Sequence, residues 1–265
     1  MDSLIAIAAA VLYTLAVATI VPGLSQQSLI KTKTVFVSAS LAIIFHGWLL
    51  HGLIHNGNDG QNLSMLNVAS VVSFIIAWVM SMAMFKVRLW FLLPVVYGFS
   101  IISILSSSFL PGTFITHFEG KHGLLIHITI ALFAYATLTI AALYAIQLAW
   151  LDYKLKNKKA MVVNPNFPPL MKVERQLFNI ILIGNGLLTL TLLSGLVFLD
   201  DMFAKGSAHK SILSFIAWII YSILLWGHYQ KGWRGKRVTW FAIAGATLLT
   251  LAYFGSRFVR EIILG

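Results

Sequence analysis

The sequence predicts an all-α, polytopic membrane protein, a bundle of about eight transmembrane helices. Three observations predict it. Of the 265 residues, 59% are hydrophobic and only 10% charged, where a soluble domain carries roughly 25% charged residues. The apolar residues come in continuous runs of about twenty, the length that crosses roughly 30 Å of hydrocarbon. Their continuity excludes the alternating pattern of a transmembrane β-barrel. The loops between the runs also sort by charge.

The runs place helices at about 3–21, 34–53, 65–85, 89–109, 124–150, 177–199, 211–228 and 238–256. The first begins at Leu4 with no basic region before it and no clear small-residue cleavage site, so it reads as a retained span rather than a removed signal peptide. Lys86-Val87-Arg88 joins the third and fourth as a tight antiparallel hairpin. Pro94 falls in the first turns of the fourth helix, where a missing N–H matters least, or kinks it. The fifth run, about 27 residues, exceeds what a bilayer needs and tilts or extends into the cytoplasm. The longest loop, 151–176, holds Asn-Pro-Asn-Phe-Pro-Pro at 164–169, which blocks helix continuation. It is expected to separate five N-terminal spans from three C-terminal ones within a single integral membrane domain over 1–265. Leu170, Val173, Glu174 and Leu177 then read as an interfacial turn leading into the sixth span.

Loops on one side carry fourteen basic residues: Lys31 and Lys33, Lys86 and Arg88, six from Lys154 to Arg175, and four from Lys231 to Arg237. The other side carries five: Lys121, Lys205, Lys210, Arg257 and Arg260. The positive-inside rule puts the richer side in the cytoplasm and both termini outside. That asymmetry accounts for the net charge of +11, which in a soluble protein would point to nucleic acid. The partner it implies is the lipid bilayer, and no nucleic acid is expected. No internal repeat is visible, which counts against an inverted-repeat transporter.

Asp2, Asp59, Glu119, Asp152, Glu174, Asp200, Asp201 and Glu261 all lie in loops or at span ends. Pumps and acid–base enzymes place carboxylates inside the membrane or facing one another in a cleft. The chain has no cysteine, which excludes thiolate metal sites, iron–sulfur clusters and cysteine nucleophiles. It also has no glycine-rich phosphate loop, HExxH or GxSxG. It is not expected to be an enzyme.

The chemistry lies in histidine. The stretch 120–138, GKHGLLIHITIALFAYATL, holds His122 at the edge of an apolar run and His127 inside it. An ionisable side chain within a span is costly and marks a functional candidate. Neutral imidazole is the usual haem iron ligand, and here cysteine cannot compete. His127 falls roughly 5 Å and His46 roughly 10 Å inside the outer boundary, depths compatible with one site. His228, at the cytoplasmic end of the seventh span, is too far from either unless helices tilt or slide. The plainer readings stand beside these. His51 and His55 serve as interfacial anchors, and His117 and His209, in outer loops, sit in solvent. His46 and His127 bond a neighbouring helix, and His228 belongs to the interface belt with Trp226 and Trp233. Gly184, Gly186, Gly195 and Gly245 mark close helix packing rather than a cofactor box.

Three stretches together resemble the cytochrome c assembly family of haem-handling membrane proteins, of the CcsA/CcmC type. They are GLLIHITIALFAYATL at 123–138, the segment from Pro168 to Phe198, and the segment from Trp218 to Gly255 with its GWRGKR turn. A weaker similarity joins His46 to GQNLSMLNV at 60–68. The chain is most similar to the HemX-like branch, which lacks the family's tryptophan-rich signature. The resemblance implies haem b held through histidine iron ligands, with His127 as an outer-face ligand and His46 as a span ligand. His228 resembles the second span ligand, although with Trp218 and Trp233 aligned it falls two residues late, about 200° of helix rotation. Where the family carries its haem-presenting tryptophan segment, this chain has DDMFAKGSAHK at 200–210. The family's outer histidine after the last span has no counterpart. The expectation is a haem-binding protein of the bacterial inner membrane, related to cytochrome c assembly but not a haem lyase. The alternatives are a haem-free scaffold or regulator acting through a membrane protein partner, and, third, a small-molecule transporter.

Overall fold

The computed structural model describes residues 2–25, 29–55, 60–110, 112–117, 121–157, 166–199 and 208–258. The helices are α1 (Asp2–Ser25), α2 (Thr32–Ile54), α3 (Met65–Ala83), α4 (Leu93–Phe109), α5 (His122–Lys156), α6 (Leu170–Phe198), α7 (Ala208–Lys231) and α8 (Lys236–Thr250). A π-helical turn, Leu251–Gly255, continues α8 into the short α9 (Ser256–Phe258). Seven of these helices, with α8 counted through its π-turn, are long and apolar enough to cross a membrane, and Leu93–Phe109 is a shorter apolar helix. The protein is a polytopic helical membrane protein, as expected.

The chain forms two compact units, one of residues 1–117 with 159–168, the other of 118–158 with 169–265. In the first, α1 packs on α2, α2 on α3 and α3 on α4, and α4 closes the ring on α1. The second repeats the order with α5, α6, α7 and α8. The expected division into five and three spans is therefore corrected to four and four. The helix that moves is α5, whose most extensive packing is on α6. The proline-rich connection belongs partly to the first unit, where Asn166 Nδ2 donates to the Gly23 carbonyl (2.8 Å) and the Phe167 ring meets Phe91.

Several helix ends differ from the sequence reading, for local reasons. Nine residues, not three, join α3 to α4. Pro94 lies in the first turn of α4, where its missing N–H needs no acceptor and its ring meets no preceding turn. The turn before it stays packed, with Leu89 and Leu92 buried. The expected interfacial turn at 170–177 is instead the start of α6. Pro169 caps it in an extended conformation, and Val173, Leu177, Phe178, Ile181 and Leu188 are buried along one face at helical spacing. At 35 residues, α5 is about 52 Å long, well beyond the hydrocarbon thickness.

The first unit carries a small ribbon at one end, Gln61–Asn62 (β1) paired antiparallel with Ile115–Thr116 (β2). Asn62 holds it, accepting from the backbone of Ser64 and Phe114 and donating to the Gly112 carbonyl. Ser64 caps α3 by accepting from the Asn67 backbone N–H. In the second unit α5 and α6 approach closely. The Leu138 side chain fills the place a Cβ on Gly184 would take, and the Phe198 ring does the same at Gly123.

Candidate functional site

His46 lies on the buried face of α2 and is fully buried. Both ring nitrogens are taken. Nδ1 lies 3.3 Å from Tyr13 Oη of α1, and Nε2 lies 2.9 Å from Ser70 Oγ of α3. Tyr13 and Phe74 contact the ring edge-on, and Tyr97 of α4 packs against Tyr13. Around this hub the helices are laced by hydroxyls: Ser73 Oγ to Ser103 Oγ (2.6 Å), and Ser81 Oγ to Tyr97 Oη (2.8 Å). Interhelical polar contacts of this kind hold membrane helices together where lipid supplies no hydrophobic drive. As it stands, His46 offers no free nitrogen to iron.

His127 is half-buried, one turn inside the start of α5. Its Nδ1 lies 2.9 Å from Ser194 Oγ of α6, the Thr191 backbone is a second hydrogen-bonding neighbour of the ring, and no partner of Nε2 is seen among the described residues. The rung before it is Gly123 against Phe198, so the histidine sits where the two helices are drawn close.

His228, near the end of α7, is half-buried as well. Its Nδ1 donates to the Trp233 carbonyl (3.2 Å), and its face stacks on Phe178 of α6 with ring centroids 3.3 Å apart. The chain reaches that carbonyl by turning at Gly232, whose φ of 64° is left-handed. The Trp233 ring then occupies the place a Cβ on Gly227 would take. The Arg237 guanidinium covers the same indole, 4.9 Å from its centroid. His127 is tied to position 194 of α6 and His228 to position 178, so the two are separated by about 24 Å along that helix. They cannot share one iron.

The remaining histidines gather no site. His51 and His55 are exposed and lie against each other, ring centroids 4.8 Å apart, while His117, His122 and His209 are exposed. Among the described residues no cluster of three or more His, Asp or Glu could hold a metal ion. Residues 200–207 of the 200–210 segment lie outside the described residues.

The second unit has a groove of about 380 Å³ between α6 and α7, lined by Leu192, Leu193, Leu196, Ile212, Phe215 and Ile216 with Thr189 and Trp218. The Trp218 indole N–H donates to Thr189 Oγ1 (2.8 Å). At 100° per residue, Ser194 points roughly 150° away from the groove-lining residues of α6, so the groove and His127 occupy opposite faces of that helix.

Residues 34–264 match the model of the family described as cytochrome c assembly protein. The chain belongs to that family. It is 49% identical to the inner membrane protein YpjD of Escherichia coli K12, over 97% of this chain and 98% of that one. It is also 27% identical to the cytochrome c biogenesis protein CcsA of Chlamydomonas reinhardtii, over 52% of this chain and 38% of that one. No solved structure matches it. This member of the cytochrome c assembly family is a multi-pass inner-membrane protein.

The sequence reading missed Ser194, Ser70 and Tyr13, the residues that decide what each imidazole can do. They lie 67, 24 and 33 residues from their histidines. A serine or tyrosine within an apolar run is the one signal that marks them, and this chain has many.

Proposed function

We propose that this cytochrome c assembly family member binds haem b through His127, as a haem-handling protein without catalytic activity of its own. The observation that carries the reading is the state of the three histidines. At His127 and His228 the ring is held by Nδ1, with no partner of Nε2 seen among the described residues, the arrangement in which metal-binding histidines are found. At His46 both nitrogens are engaged within its own helix unit. His127 is therefore the first ligand, and His228 a second candidate at the other end of α6. His46 would have to give up Ser70 to join either. Haem, when bound, supplies a redox-active iron, and the chain supplies the imidazole, its orientation and an apolar surround. The fourteen-lysine-and-arginine side is assigned to the cytoplasm, with both termini outside.

The test is the absorption spectrum of the detergent-purified protein, oxidised and dithionite-reduced, beside His127→Ala. A Soret band with sharp reduced α and β bands, lost or shifted in the variant, is expected. No band after growth with added haem precursor would overturn the reading. It would leave a haem-free scaffold that acts through a membrane protein partner.

A further inference from the structure

We infer that Ser194 is a positioning residue for His127, selecting the imidazole tautomer that leaves Nε2 bare. The inference deepens the reading above, and rests on it for what Nε2 meets, though not for the tautomer itself. A serine hydroxyl has one proton to give. Ser194 Oγ lies 3.0 Å from the Thr191 carbonyl on its own helix, and a carbonyl only accepts, so that proton is committed. The Thr191 backbone is also a hydrogen-bonding neighbour of the His127 ring, while the Thr191 hydroxyl is engaged elsewhere, donating to the Leu187 carbonyl (2.9 Å). With the Ser194 proton given to the Thr191 carbonyl, Ser194 Oγ accepts at 2.9 Å from His127 Nδ1, and the hydrogen of the imidazole sits on Nδ1. A neutral imidazole has a single N–H, so Nε2 keeps its lone pair.

His228 reaches the same state by another route, since the Trp233 carbonyl can only accept from Nδ1. His46 shows what a hydroxyl does without the backbone commitment. Ser70 Oγ has no second partner among the described residues, so it can donate to Nε2 or accept from it, and the tautomer is left open. Back-bonding to the i−3 carbonyl is therefore what turns an ambivalent hydroxyl into a fixed acceptor at position 194.

The experiment uses full-length protein in bilayers with ¹⁵N-labelled histidine, read by solid-state NMR, with the His127 signals assigned by their absence in His127→Gln. The native protein is expected to show His127 with a protonated Nδ1 and an unprotonated Nε2. Ser194→Ala should give a mixture of tautomers, and Ser194→Thr, which keeps the hydroxyl, should restore the native form. In haem-loaded protein, Ser194→Ala should bind haem roughly 10-fold more weakly, with rescue by Ser194→Thr. Native His127 protonated at Nε2, or a Ser194→Ala spectrum identical to native, would overturn the inference. A native protein without a Soret band would overturn the haem reading instead, and the NMR result would still decide the role of Ser194.

Discussion

The two helix units hold a histidine in opposite ways. In the first, His46 is the centre of a closed polar knot to which α1, α2 and α3 contribute, fully buried and bonded at both nitrogens. In the second, His127 is tied at Nδ1 alone among the described residues and stays half-exposed. Both are costly residues for a membrane span, and both stand at positions where the family resemblance implies an iron ligand. Burial alone therefore does not mark a ligand: a ligand needs a fixed ring and a spare lone pair, and on the proposed reading the second arrangement offers both.

The largest expected effect tests the closed unit. His46→Ala removes a fully buried ring and leaves Tyr13 and Ser70 facing a cavity. Tyr13 keeps Ser100 as a partner, and cavity formation with the orphaned Ser70 hydroxyl costs about 3–5 kcal/mol. His127→Ala, at a half-exposed site, should cost less than about 1 kcal/mol while removing the haem signal. Denaturant unfolding of both variants by circular dichroism, with the Soret band of each recorded before unfolding, separates the roles. A His46→Ala protein of native stability that has lost its haem would reverse the assignment.

Next comes the close approach of α5 and α6. A Cβ at Gly123 would run into the Phe198 ring one turn from His127. Gly123→Ala should destabilise by about 1–3 kcal/mol through overpacking and weaken haem binding by moving His127 relative to Ser194. Unchanged unfolding and an unchanged Soret band would show that the helices give way there at no cost.

A smaller effect is expected from the hydroxyl lacing of the first unit. Ser103→Ala removes the 2.6 Å contact with Ser73, but Ser73 Oγ still donates to the Ser70 carbonyl (2.9 Å). Single interhelical bonds of this type contribute about 0.6–2 kcal/mol, so a modest loss of stability with haem binding intact is expected. Loss of haem in this variant would tie the first unit directly to the cofactor.

What could be read from the chain follows from where each signal resides. Hydropathy is a local property, so the helices and their approximate limits were legible. The family was legible too, because GLLIH and GWRGKR are contiguous strings. The grouping of helices was not. Whether α5 belongs with α4 or α6 depends on contacts such as the Leu138 side chain meeting Gly184 across 46 residues, and no run of apolar residues records that. The start of α6 was misplaced because Lys172, Glu174 and Arg175 lower the local hydropathy, while Val173, Leu177 and Phe178 still bury one face of a helix. The histidines were legible as candidates, but their ranking was not. His46 and His127 look alike in sequence, and a tyrosine and two serines on other helices make them different.

The smallest expected effect bears on the groove between α6 and α7. It is an apolar groove of about 380 Å³, and its size alone would nominate it for a flat, greasy cofactor. Its lining residues, however, leave α6 on the side opposite Ser194, so an occupant there could not reach the Nε2 of His127 without passing through the helix. Leu193 lines the groove and is exposed. Leu193→Trp should therefore fill the space with a stability change within about 0.5 kcal/mol and leave the Soret position and haem occupancy as they were. A lost or displaced Soret band in that variant would move the haem to the α6–α7 face. His127 would then be what His46 already is, a histidine that holds helices together.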